Sequence, residues 1–235
     1  MAPLQVFAWQ WHVTAATMLQ ATHSFVPLET FLGDALREFR GDPDLLLARG
    51  SLDETRAGVD VIDASVARDI YTDLHRNRHR AQLLQAASDF GQAIRQEPTL
   101  YEAHLRLGRV RFLLGEHRRA EEALRAASVP GAPLLVRYLA AVFRGNVAEA
   151  RRDEATARRH YERALDLLPG AQAPMLALSR MCDARGDTAC ARRWLVASLN
   201  AVDDTRREDY WWTYPRGQTW RIAERIAELR RLGLE

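Results

Sequence analysis

The chain has 235 residues, 47% hydrophobic and 27% charged, with a formal net charge of +2. That balance describes a globular chain long enough for a sizeable core and argues against intrinsic disorder. So small a charge supplies no strong field for nucleic acid or an anionic membrane, and no apolar run approaches the roughly 20 residues needed to span a bilayer.

All 33 basic residues are arginine, as a GC-rich coding sequence produces; arginine also suits bidentate recognition of carboxylates. Residues 1–65 hold four arginines against nine carboxylates, a balance of −5 that leaves +7 for the remainder. Opposite ends of that kind could favour head-to-tail contact, although unequal solvated faces are the simpler cause. The opening MAPLQVFAWQWHVTAATMLQ lacks the basic start and clean apolar stretch of a signal peptide. Its interleaved Trp9, Trp11, His12 and Thr14 read instead as a first helix, and residues 1–42 are expected to form a helical pair turned near Phe25 to Pro27.

DPDLLLARG at 42–50 opens another first helix, with Gly50 at a close-approach position, and the partner helix ends before Pro98. The unit 43–100 is therefore long, and an insertion is placed near 58–65, where GVDVID interrupts the helical composition. His75 and His79 stand four apart, with Asp73 nearby, and could offer two imidazoles to a metal. Arg76, Arg78 and Arg80 would repel a cation there, and zinc normally takes three or four ligands, so a solvated basic face is preferred and no metal site is assigned.

Farther on a register emerges. Ala86, Phe90, Ala93 and Pro98 have the same spacing as Ala157, Tyr161, Ala164 and Pro169. Between them Leu107, Gly108, Gly115, Ala120, Leu124 and Ala127 supply small residues where paired helices must approach. Residues 101–137 are expected to form helices over Tyr101–Leu114 and His117–Ala127, broken by VPGAP at 129–133. A second unit, 138–171, carries Gly145 and ends at Pro169-Gly170; a third, 172–205, keeps Leu178, Ser179, Gly186, Ala191 and Leu195 in register. Residues 206–235 form an aromatic linker and a final helix whose Ile222, Ile226, Leu229 and Leu232 share one face. Nothing alternates with period two, so no sheet is expected.

A register recurring about every 34 residues resembles the tetratricopeptide repeat. The resemblance implies one all-α domain: a right-handed α-solenoid of stacked helix-turn-helix repeats with a C-terminal capping helix. It also implies a concave groove lined by the first helix of each unit. Matching repeat positions yields Leu105, Arg109, Phe112, Val142, Asn146, Leu176 and Arg180 as groove candidates. A clamp for a peptide carboxylate would have only Arg109, Asn146 and Arg180 as donors, opposed by Glu102, Glu149 and Asp183.

Cys182 and Cys190 flank the turn near Gly186, where they form either a disulfide across one hairpin or a pair of small buried thiols. The sequence assigns no compartment: cytoplasm is the default, and a disulfide would point to an oxidising one. Tyr210, Trp211, Trp212 and Tyr214 either pack the cap onto the last repeat or offer an exposed anchor to a partner. Repeats followed by a segment such as WWTYPRGQ resemble the C-terminal parts of poorly characterised bacterial repeat proteins, a likeness that implies no activity.

Metalloprotease, phosphate-loop, nucleophile-elbow, dinucleotide, haem-attachment and paired-cysteine zinc motifs are all missing. The sequence therefore reads as non-enzymatic, without a cofactor. Its expected role is a scaffold that binds a protein or peptide through the groove, the C-terminal aromatic segment or both; the alternative is a structural subunit of a homo-oligomeric or filamentous assembly.

Overall fold

The structure, a computed structural model, describes residues 12, 25–66, 72–201 and 214. Among the described residues there are nine α-helices and no strand: α1 Phe25–Glu38, α2 Pro43–Val66, α3 Thr72–Gln96, α4 Tyr101–Leu113, α5 His117–Ala127, α6 Leu134–Ala150, α7 Glu154–Leu167, α8 Gln172–Ala184 and α9 Thr188–Asn200. They pair as four hairpins, α2/α3, α4/α5, α6/α7 and α8/α9, with α1 leaning on α2. The second helix of each hairpin meets the first helix of the next, and α4 also touches α2 and α6. Stacking in this manner lets each pair bury a face that it could not bury alone, because ordering the chain costs about 1 to 2 kcal/mol per residue.

Each of the last three hairpins turns by one device. The amide of Gly115 donates to the Phe112 carbonyl and that of Glu116 to the Arg111 carbonyl. Gly186 with Asp183, and Asp187 with Cys182, repeat the pair, as do Arg152 with Glu149 and Asp153 with Ala148. This is the Schellman closure, which requires a left-handed residue after the helix. Gly115 and Gly186 supply it at φ +79° and +75°, whereas the middle hairpin places Arg152 there at φ 60°. The residue that completes the closure also starts the next helix. Asp153 accepts from the Thr156 amide at 3.1 Å, and Asp187 accepts from the Cys190 amide at 2.9 Å, so each turn is as short as capping permits.

Small residues decide how closely the paired helices approach. A β-carbon added at Gly50 would lie 2.6 Å from Phe90, at Gly108 2.5 Å from Leu124, and at Gly145 2.3 Å from Tyr161. Glycine in the first helix thus receives a large side chain from the second in three hairpins. Ser179 stands in its place in the fourth, its hydroxyl donating to the Ala191 carbonyl at 2.8 Å. Phe90 and Tyr161 are fully buried among Ala86, Ala93, Ala157 and Ala164, the residues that carry the sequence register.

The expected interruption near 58–65 is corrected, because α2 runs unbroken through Val66. The additional length of unit 43–100 is taken up by two long helices, 24 and 25 residues, lying along each other. One cross-link between them is a hydrogen bond from His79 Nδ1 to the Ala57 carbonyl at 2.7 Å, which occupies an imidazole considered above for a metal. Unit 138–171 also begins earlier than its register suggests, since α6 starts at Leu134, directly after Pro133.

Cys182 and Cys190 form a disulfide across α8/α9, with α carbons 5.7 Å apart. Leu195, Val196 and Leu199 remain exposed on α9. The capping helix expected over 206–235 lies outside the described residues.

Arg152 adopts a backbone conformation that glycine holds at the equivalent turns, where a β-carbon costs about 1 to 2 kcal/mol. Arg152→Gly is expected to raise stability by about 0.5 to 1 kcal/mol in urea unfolding, part of the gain being lost to the greater freedom of the unfolded chain.

Candidate partner-binding groove

The first helices of three consecutive units converge on one distant side chain. Tyr214 is buried, only 2% exposed, and its hydroxyl donates to Oε1 of Glu54 on α2 at 2.8 Å, across 160 residues of sequence. The guanidinium carbons of Arg106 and Arg109, on α4, each lie 4.9 Å from the Tyr214 ring centre. Phe143, on α6, meets the ring edge-on, with centres 5.2 Å apart and planes at 76°. Both arrangements suit the charge distribution of an aromatic ring, whose face attracts cations and whose edge attracts a second ring's face.

Beneath the ring lies a closed charge network. Arg106 is completely buried, donating from Nε to Glu102 at 2.9 Å and from Nη1 to Glu54 at 3.0 Å. Burial disfavours its charge, but Tyr214, Glu102 and Glu54 outweigh that and hold its pKa above the ordinary value. Arg109 Nε is 3.8 Å from Oε1 of Glu54, the oxygen that receives the phenol. The Tyr214 phenol is pushed well above its ordinary pKa, first by burial and then by the Glu54 carboxylate, so it stays a hydrogen-bond donor.

Farther along the groove, Tyr161 Oη lies 2.5 Å from Glu149 Oε2 and 2.7 Å from Asn146 Oδ1. One phenol proton serves one acceptor, and the ionised carboxylate is the stronger; an amide flip lets Asn146 donate to the phenol oxygen instead. Arg180, from the next unit, closes on the same Glu149 oxygen at 2.6 Å. Outside the groove, a cleft of about 150 Å³ between α5, α6 and α7 is lined by Glu121, Arg125, Arg151, Asp153, Thr156 and His160. The His160 imidazole is held below its ordinary pKa by burial and then by Arg144, which is itself bonded to Glu121 at 2.7 Å.

No known family profile matches the chain, and no curated protein does. Solved structures do. MamA from Desulfovibrio magneticus RS-1 aligns with a TM-score of 0.61 at 15% identity, covering 85% of this chain and 97% of that one. Pseudomonas aeruginosa PilF gives 0.66 at 13% identity, covering 96% and 91%. A human IFIT1 dimer solved with m7Gppp-AAAA gives 0.57 at 18% identity, covering 82% of this chain and 47% of that one. The fold is a tetratricopeptide-repeat solenoid.

Within the solenoid the expected groove residues divide. Arg109 belongs to the Tyr214 seat, and Asn146 and Arg180 converge on Glu149 and Tyr161. Phe112 is half-buried beside His117, and Leu176 is half-buried on α8. Leu105 and Val142 are buried, 0% and 2% exposed, in the same cluster as Tyr214. No free carboxylate clamp exists among the described residues, since Arg109 and Arg180 face glutamates and Asn146 faces Tyr161. Of the aromatic anchor candidates, Tyr214 is inside the groove and not exposed, while Tyr210, Trp211 and Trp212 lie outside the described residues. Three members of the seat were missed: Glu54, Arg106 and Phe143. Glu54 was legible as the groove residue four after Gly50 in the long unit; Arg106 and Phe143 share a repeat position that the resemblance does not assign to the groove.

Asp53 adjoins this network on α2. Burial, then the Asp89 carboxylate, raises its pKa to about 7; Glu29 adds to the rise, and Arg56 and Arg49 oppose it. The folded-state value exceeds the ordinary value of 3.8, so the unfolded chain releases its proton first and stability falls between about pH 4 and pH 7. Asp53→Asn is expected to raise the thermal midpoint at pH 8 and to change it little at pH 4, as checked by calorimetry across that range.

Proposed function

We propose that the chain is a non-enzymatic scaffold that holds a segment of a partner protein in its concave groove. One observation carries the reading: three successive units contribute Glu54, Arg106, Arg109 and Phe143 to enclose a side chain from a remote part of the sequence. A surface built to receive chain supports peptide binding. The capped oligonucleotide in the IFIT1 structure belongs to that protein; here Arg106, Arg109 and Arg180 face carboxylates, which favours a protein segment over a polyanion.

Affinity purification from the native host, followed by mass spectrometry, tests the reading. Wild-type protein is expected to recover a partner that Arg109→Ala loses while keeping its helical circular dichroism; an unchanged set of partners would overturn it. The competing reading, a self-assembling subunit, draws on Leu195, Val196 and Leu199 exposed on α9 and would appear in the same purification as recovery of a differently tagged copy of the chain.

The Cys182–Cys190 pair supports an oxidising compartment for this scaffold. Native protein titrated under denaturing, non-reducing conditions is expected to present no free thiol, and two reactive thiols would contradict the placement.

A further inference from the structure

We infer that the seat of Tyr214 is a tyrosine-reading socket, which takes a tyrosine-bearing segment of a partner protein, and that the chain's own Tyr214 is its resident competitor. The inference rests on the scaffold reading and specifies the chemistry of its ligand.

The bonds that join the seat's charged members do not involve Tyr214. Arg106 on α4 donates to Glu102 on the same helix and to Glu54 on α2, and Phe143 is held in the core of α6. What the tyrosine adds is a ring within 4.9 Å of two guanidinium carbons and a hydroxyl at Oε1 of Glu54. Arg106 bonds to the other Glu54 oxygen, Oε2, and Arg109 Nε, at 3.8 Å, is too far for a hydrogen bond to Oε1. Without a phenol, that buried carboxylate oxygen loses its close donor. A phenylalanine would fill the volume and leave the oxygen short, and a site built around a hydroxyl rejects the analogue that lacks it. Glu54 and Glu102 likewise oppose a phosphorylated ring, so the neutral phenol is the form selected.

A purely structural anchor would not need this chemistry, because well-packed apolar residues usually serve stability as well as a buried charge network does. Buried polar groups that converge on one hydroxyl provide discrimination instead. An external tyrosine meets the same contacts as Tyr214, but it competes with a ligand tethered to the chain and therefore at high effective concentration.

The test uses the full chain carrying Tyr214→Ala and a fluorescent 13-residue peptide with the sequence of residues 208–220, read by fluorescence anisotropy. The variant is expected to bind the peptide at least about tenfold more tightly than wild type, whose own Tyr214 fills the socket. A peptide with phenylalanine in place of that tyrosine is expected to bind roughly 10- to 100-fold more weakly, the loss of one hydrogen bond to a charged acceptor. Equal binding to variant and wild type, or equal binding of the two peptides, overturns the inference.

If Tyr214→Ala does not fold, Tyr214→Phe serves, since it removes only the hydroxyl. It should bind the tyrosine peptide more tightly than wild type does, and no gain overturns the inference equally. Size-exclusion chromatography of mixed wild-type and Tyr214→Ala chains identifies the other occupant: a mixed dimer would make a second copy the ligand and overturn the choice of a different protein. Failure of peptide binding while Arg109→Ala still loses its cellular partner would remove the socket and leave the scaffold. Peptide binding without any Arg109-dependent partner would remove the scaffold and leave the socket.

Discussion

Close approach of two helices at a residue without a side chain is the constraint from which this architecture grows. Gly50 beneath Phe90, Gly108 beneath Leu124 and Gly145 beneath Tyr161 are contacts in which a single β-carbon would enter the opposing side chain. Each contact sets the spacing of one hairpin, and buried alanines share the cluster with the large side chain. The second helix of one hairpin then packs on the first helix of the next, so first helices lie beside one another along one side of the row. A concave surface follows from that arrangement and from the three-residue turns that keep the last three hairpins tight.

On that surface the chemistry is unlike the core beneath it. The buried clusters are aliphatic and aromatic, whereas the residues facing the groove form paired charges: Glu54 and Glu102 with Arg106, and Glu149 with Arg180. Each pair involving Glu54 or Glu149 bridges different units, so the groove is tied together lengthwise by electrostatics as well as by packing. Where such a pair is buried, as at Arg106, it holds only when remaining donors and acceptors are also satisfied. Tyr214 and Tyr161 perform that task with their hydroxyls, one at each end of the charged stretch.

Sequence reasoning reached the repeat because a period is local: it needs only the distances between small and large residues along the chain. The turns were readable for the same reason, and both helices of residues 101–137 fall where composition places them, to within one residue. The long pair α2/α3 was misread at residues 58–65 because glycine and valine are poor helix formers individually, yet propensity is a weak preference that tertiary context overrides. Leu105 and Val142 were assigned to the groove by their repeat positions, but their burial in one cluster with Tyr214 depends on distant packing, which no residue count contains.

The candidate site was half legible. Arg109 and Arg180 were found, since a repeat position names the helix face even when the ligand is unknown. The seat around Arg109 was not, because Glu54 and Tyr214 are separated by 160 residues, and neither residue carries a pattern that points to the other. The amino-acid order alone determined the helical class, the stacked hairpins and the placement of two cysteines on either side of one turn, all set by interactions between neighbours in the chain, while the folded hairpin brought their α carbons to 5.7 Å and closed the disulfide. Tertiary structure alone decided that an aromatic residue near the C-terminus lies inside the groove among buried charges, because burial and pairing of that kind depend on the summed geometry of several hairpins.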